Sequence, residues 1–312
     1  MKVAGLVDQY LAYRQVSGVK YRIGEMLLRR LVNVLGTSAG TDSLTRENIE
    51  RSLLANGRIT RSSRTKKSTY SLFFKWCVAR GFLTDIPAMP ELPRDMPSPR
   101  PHIYSDDEIR RLLSARHQHK SRVQPECARM ILLTTYTMGL RIHETLSLKV
   151  GDVDTASNVA TIRGTKFYKT RLVPYNSAVA RELRDFLEWR ESCGMPATPD
   201  TPLFLMRNNS PVREKNFGVI FHWLRDAAGI AKADGESRNP RIHDLRHTFA
   251  VKRLLAWYHE GRDVQSLLPK LSAYMGHSNI TGTSTYLTMT PYLLRASCER
   301  FARFAEGGES HV

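Results

Sequence analysis

At 312 residues the chain is long enough for two domains, each with its own core. An apolar share of 41%, a mean hydropathy of −0.37, no run of about 18 apolar residues and no N-terminal signal pattern exclude a membrane span and a secretory leader from the expectations. Forty-seven Lys and Arg against 30 Asp and Glu leave a net charge of +17, which points to a polyanionic partner without choosing which.

Residues 1 to about 86 read as four short helices forming a small bundle. Val3, Leu6, Val7, Tyr10 and Leu11 recur at helical spacing before Gly18, and Ile23, Leu27, Leu28, Leu31 and Leu35 do so before Gly36. Thr45 is suited to cap a third helix, with Glu47 in its first turn and Ile49, Leu53 and Leu54 inward. The fourth carries Tyr70, Phe73, Phe74 and Trp76, read as core, and stops at Gly81. Between the third and fourth helices Arg58, Arg61, Arg64, Lys66 and Lys67 follow one another with no acid among them. Two readings are open there: a solvated basic face, or a backbone clamp to which the interleaved Ser and Thr hydroxyls add neutral phosphate donors.

Residues 87–103 are rich in proline, from Pro87 to Pro101, which forbids helix and favours an extended connection between domains. The second domain opens on Ser105-Asp106-Asp107-Glu108, a capping box ahead of Ile109, Leu112 and Leu113. An apolar helix follows, Met130 to Met138, stopped by Gly139 with Arg141 just beyond. Glu144 reads as a local partner orienting Arg141. No HExxH-type spacing accompanies His143 and Glu144, so no metal is expected. Val159–Ile162 and Arg171–Pro174 read as strands joined by a turn over 164–169 that carries Lys166 and Lys169. Helices follow through Val179, Leu183, Leu187 and Trp189, and through Phe217, Ile220, Phe221 and Leu224. The four cysteines, Cys77, Cys127, Cys193 and Cys298, lack metal or redox spacing and are expected as reduced thiols in a cytoplasmic protein.

The chemistry concentrates late in the chain. His243 and Arg246, three apart, share one helix face. His277 follows Gly276, and Tyr286 lies nine residues further on. With Arg141 these make two arginines, two histidines and a tyrosine, a set suited to a phosphodiester. Arginines neutralise its non-bridging oxygens without losing their protons, and imidazoles donate or shuttle protons near neutrality. A tyrosine of ordinary pKa near 10 needs a strongly cationic pocket to attack as phenolate. His247 reads as packing or capping locally.

The ordered set Arg141, Lys166, His243-x-x-Arg246, Gly276-His277 and Tyr286, over most of residues 105 to 290, resembles the tyrosine recombinases, the phage-integrase family. The resemblance implies a mainly α fold with a small antiparallel sheet. A helical core-binding domain (1–86) and a Pro-rich linker (87–103) would precede a catalytic domain (104–312) with a C-terminal helix. It makes Lys166 the catalytic lysine of the hairpin, with Lys169 its rival, and favours Arg58, Arg61, Arg64, Lys66 and Lys67 as DNA contacts. The segment from Trp257 to Tyr274, with Pro269, departs from the family pattern by its length.

The implied activity is site-specific DNA cleavage and rejoining through a 3′-phosphotyrosine, with no metal or other cofactor. The implied partners are duplex DNA with inverted-repeat core sites, a homotetramer on that DNA, and related recombinases or accessory proteins. A type IB topoisomerase, a catalytically idle DNA-binding regulator and a metal-dependent nuclease are the alternatives. The apolar positions Leu293, Leu294, Ala296, Phe301 and Phe304 of the tail fit either its own domain or, as the resemblance favours, a neighbouring protomer.

Overall fold

A computed structural model of the chain describes residues 1–16, 21–54, 59–93, 101–116, 121–163, 170–232 and 238–277, with Thr283 and Tyr286. The chain divides between Ser98 and Pro99 into two compact units.

In the first unit α1 (Val3–Val16), α2 (Arg22–Leu35), α3 (Arg46–Leu53) and α4 (Arg61–Ala79) pack around Leu6, Leu28, Leu31, Ile49, Leu53, Tyr70, Phe73 and Phe74, all fully buried. The apolar stripe of each helix explains this, since each large side chain taken from water contributes roughly 1.5–3 kcal/mol. Thr45 caps α3 as expected, its Oγ1 accepting from the Asn48 amide at 3.3 Å. Two details differ from the sequence reading. Ile23 is 65% exposed, because the inward stripe of α2 runs through Gly24, Leu27, Leu28, Leu31 and Val32. The basic stretch is not an inter-helix loop: α4 begins at Arg61, so Arg64, Lys66 and Lys67 ride on its first two turns.

The second unit holds α5 (Asp106–Ser114), α6 (Pro125–Thr137) and α7 (Ile142–Leu146), then β1 (Val153–Asp154), β2 (Val159–Ile162) and β3 (Arg171–Pro174). After the sheet come α8 (Ser177–Ser192), α9 (Glu214–Ala227), α10 (Ile242–His259) and α11 (Val264–Met275). The Ser105 capping box is formed: its hydroxyl accepts from the Glu108 amide at 3.1 Å, while Glu108 accepts from the Ser105 amide at 2.8 Å. The strands make one antiparallel sheet in the order β1-β2-β3, with Val159 opposite Pro174 and Ile162 opposite Arg171. Strand β1, two residues long, is too short to leave a periodic signal.

The long segment after α10 is itself a helix. A turn with Gly261 at φ +68° leads into α11, which carries Pro269 inside it and packs Val264, Leu268, Leu271 and Met275 on Ala250, Val251 and Leu254 of α10. Among the described residues no helix is long and apolar enough to cross a membrane.

Candidate active site

The site is built where three helix ends meet in the second unit. Helix α6 stops at Gly139, whose φ of +60° and whose closeness to Phe249 leave no room for a side chain: a Cβ would lie 2.4 Å from that ring. The chain re-enters helix at once, with Arg141 as the N-cap of α7. Glu144, three residues in, reaches back to the Arg141 amide at 3.0 Å. Helix α10 starts the same way, Asp244 reaching back to the Arg241 amide at 2.8 Å. In both cases an acidic side chain satisfies an orphan donor and lies at the positive end of the helix dipole.

Glu144 does more than cap. Its carboxylate, 2% exposed, accepts from Arg141 Nη1 at 3.0 Å and from Arg171 Nη1 and Nη2 at 3.0 and 2.9 Å, and Arg246 Nη1 lies 3.8 Å away. Burial alone would raise its pKa. The forked bond from Arg171, the Arg141 amide and the surrounding positive charge outweigh burial and hold it at about 2. One carboxylate thus binds together a cluster of guanidinium groups that would otherwise repel one another.

The same three arginines close the C-terminus of α11. Arg171 Nε donates to Tyr274 O at 2.9 Å, Arg246 Nη2 to Met275 O at 2.6 Å and Arg141 Nη2 to Gly276 O at 3.1 Å. The carbonyls just before these, of Ser272 and Ala273, accept from the His277 and Gly276 amides at 3.0 Å each. Every carbonyl a helix leaves orphaned is therefore met, three by cations favoured at a negative dipole end. Gly276 takes φ +67°, and a Cβ there would stand 2.7 Å from the Arg171 guanidinium.

Arg246 also donates to Gly139 O at 2.7 Å and is 1% exposed, whereas the Arg141 side chain is 29% exposed. Burial and then Arg141 pull the Arg246 guanidinium down to about 10, still charged at neutrality.

A row of rings lies beside the arginines. His243 meets His247 edge to face, centroids 4.8 Å apart; His247 meets Tyr286 at 5.5 Å, and His277 lies nearly parallel to Tyr286 at 6.2 Å. His277 Nδ1 is 2.7 Å from the Thr283 hydroxyl, and His247 Nδ1 is 3.1 Å from Tyr286 Oη. Loss of water around them, then neighbouring positive groups, pulls His277 to about 4; loss of water and then His243 do the same to His247. Both are therefore neutral at pH 7. Tyr286, 3% exposed, is not activated here as the cationic pocket suggested. Burial pushes its phenol up, against the lowering by Arg246 and Arg141.

Arg141, Glu144, His243, Arg246, His277 and Tyr286, separated by up to 145 positions, thus converge. Lys166 and its rival Lys169 lie outside the described residues. Three partners escaped the sequence reading. His247 sits four residues from His243, on the same helix face, a spacing that was legible. Arg171 and Thr283 carry no such signal.

In the first unit the expected contact set is corrected at Lys66. It is 3% exposed, and its Nζ donates to Ser52 O at 3.0 Å and Leu53 O at 2.9 Å, closing the C-terminus of α3. Lys67 Nζ donates to Pro90 O at 2.8 Å and Arg64 to Pro93 O, so both hold the proline-rich segment against α4. Arg58 lies outside the described residues, as does the Arg61 side chain.

The sequence profile of the phage integrase family matches residues 103–291. A putative integrase/recombinase of Sinorhizobium fredii is 32% identical over 311 residues, covering 95% of this chain and 96% of its own. Among solved structures, the Tn1549 transposon integrase in complex with transposon right-end DNA superposes with a TM-score of 0.71 at 21% identity, over 97% of this chain and 100% of that one. A lambda integrase tetramer bound to a Holliday junction gives 0.68 at 16% identity, over 92% and 77%. These last two are likenesses of fold. The chain belongs to the phage integrase family of tyrosine recombinases, enzymes of site-specific DNA breakage and rejoining.

Proposed function

We propose that the convergent groups of the second unit exchange strands between two DNA duplexes, with Tyr286 as nucleophile. The phenolate oxygen forms a bond to phosphorus, the bond to the 5′ oxygen breaks, and a 3′-phosphotyrosine remains. A 5′ hydroxyl from another strand then reverses the step. Arg141, the more open guanidinium, meets the phosphate first and Arg246 holds it from beneath, both through the non-bridging oxygens. His243 and His277 donate hydrogen bonds to the same group, Glu144 fixes the arginines, and Lys166 protonates the departing 5′ oxygen. The bond energy is kept in the phosphotyrosine, so no metal or other cofactor is needed.

The observation that carries this is the placement of Tyr286 Oη 3.1 Å from an imidazole nitrogen, beside a cluster of three arginines bound to one carboxylate. The partner is duplex DNA with inverted-repeat core sites, worked at the nucleoid by four protomers. The solved proteins of like fold, one on transposon-end DNA and one a tetramer on a Holliday junction, support that reading. Arg58 and Arg61 are the first-unit side chains proposed to reach the DNA backbone. The tail with Leu293, Leu294, Phe301 and Phe304 is proposed to join protomers; it lies outside the described residues.

Trapping on a pool of nicked duplexes of random sequence tests the nucleophile and recovers the site at once. Wild-type protein should form detergent-stable adducts in excess chelator, whereas Tyr286→Phe should retain DNA in a filter assay and form none. An adduct that survives the substitution, or one that needs added metal, would overturn the assignment.

A further inference from the structure

We propose that His247, and neither histidine of the His-x-x-Arg and Gly-His motifs, exchanges the proton of the nucleophile. This rests on Tyr286 being that nucleophile. The geometry is selective: among the described residues His247 is the imidazole with a ring nitrogen within hydrogen-bond reach of Tyr286 Oη. His277 has its Nδ1 engaged with Thr283 and its ring nearly parallel to that of the tyrosine. His243 stands one ring further back, edge to face against His247.

The step balances as follows. The Tyr286 O–H bond breaks and its proton moves to Nδ1 of neutral His247. The oxygen bonds to phosphorus, and the 5′ oxygen leaves with a proton from the general acid assigned above to Lys166. In rejoining, the imidazolium of His247 returns its proton to the departing tyrosine oxygen. One residue is therefore base in cleavage and acid in rejoining, as reversibility requires.

The groups facing His247 bear on its basicity. From α10 these are Arg241, His243, Asp244 and Arg246; Tyr286 and His277 adjoin it from beyond α11. Burial, then His243 and the arginines, oppose the imidazolium, and Asp244 favours it. A phosphodiester seated on Arg141 and Arg246 offsets the charge part of that opposition, so the ring becomes a stronger base with substrate in place.

Single-turnover cleavage of the recovered nicked site tests this. His247→Asn keeps an acceptor near the Nδ1 position but cannot take the proton. Its cleavage should fall by about a hundredfold or more at neutral pH, the usual worth of a positioned base. The defect should narrow as pH rises toward the phenol's own ionisation. On the intact duplex of that site rejoining should slow by the same factor, leaving the equilibrium adduct fraction unchanged, which a merely structural role would not preserve. His247→Ala should regain part of its rate with added imidazole. Cleavage by His247→Asn within about threefold of wild type, or His247→Ala deaf to imidazole, overturns the proposal. An adduct that persists in the Tyr286→Phe control removes its premise instead, so the two failures are distinguishable.

Discussion

Lys66 in the first unit and Arg246 in the second are both buried cations, 3% and 1% exposed, and each donates to two backbone carbonyls at a helix end. Lys66 stands alone: burial, then Arg30, draws its ammonium pKa down, and two of its three protons are used on α3. Arg246 has company, with Glu144 at 3.8 Å, Arg141 and Arg171 on the same carboxylate, and more donors than its two carbonyl bonds use. A buried cation is thus not by itself a phosphate site. What marks the proposed one is a guanidinium cluster locked by a shared carboxylate, with donors left over and titratable rings alongside.

The carboxylate is the point at which that contrast breaks most easily. Glu144→Gln should destabilise the second unit by about 3–5 kcal/mol at neutral pH, the usual cost of stripping a buried pair of one charge. Glu144 is held at about 2, below the roughly 4.3 of an unfolded chain. Its contribution is complete above the unfolded value and is lost as pH falls through the folded one. The wild-type advantage in urea unfolding should accordingly hold from pH 7 to about 5 and shrink toward pH 2. An advantage unchanged at pH 3 would mean that the charge of Glu144 is not what acts.

Arg246→Ala should come next, slowing single-turnover cleavage by roughly a hundredfold or more, about 3 kcal/mol of transition-state stabilisation. Cleavage near the wild-type rate would reduce Arg246 to a second Lys66. The smallest effect belongs to Lys66→Met, which strips Ser52 O of the Lys66 donor and leaves Leu53 O with the Ser63 hydroxyl alone, and should cost about 1–3 kcal/mol in unfolding. Its cleavage rate per folded molecule and its DNA affinity should not move. A weakened, less salt-dependent affinity would restore Lys66 as a phosphate contact.

Most of the architecture was legible because helix periods and caps are local. The stripes of α1 and α3, the Ser105 box, and the strands flanking residues 164–169 all follow from short-range spacing. The residues proposed as catalytic were legible for another reason: their order along the chain matches a family pattern. What stayed hidden depends on tertiary placement. Lys66 looked solvated among like charges, and only the approach of α3 turns it inward. Arg171 read as an ordinary strand arginine, since nothing local says that β3 ends against the carboxylate of α7. His247 showed the right spacing, but its partner lies 39 positions away.

The arginine seal on the last turn of α11 has a thermodynamic consequence. Three like charges held on consecutive carbonyls repel one another in the folded chain and are dispersed in the unfolded one. A polyanion that binds only the folded form adds stability through mass action, about 2.7 kcal/mol at a hundred times its dissociation constant. DNA is then a folding ligand for this unit as well as its substrate. Proteases that act on the open population will remove idle molecules faster than engaged ones, so the lifetime of the enzyme in the cell follows its occupancy of DNA.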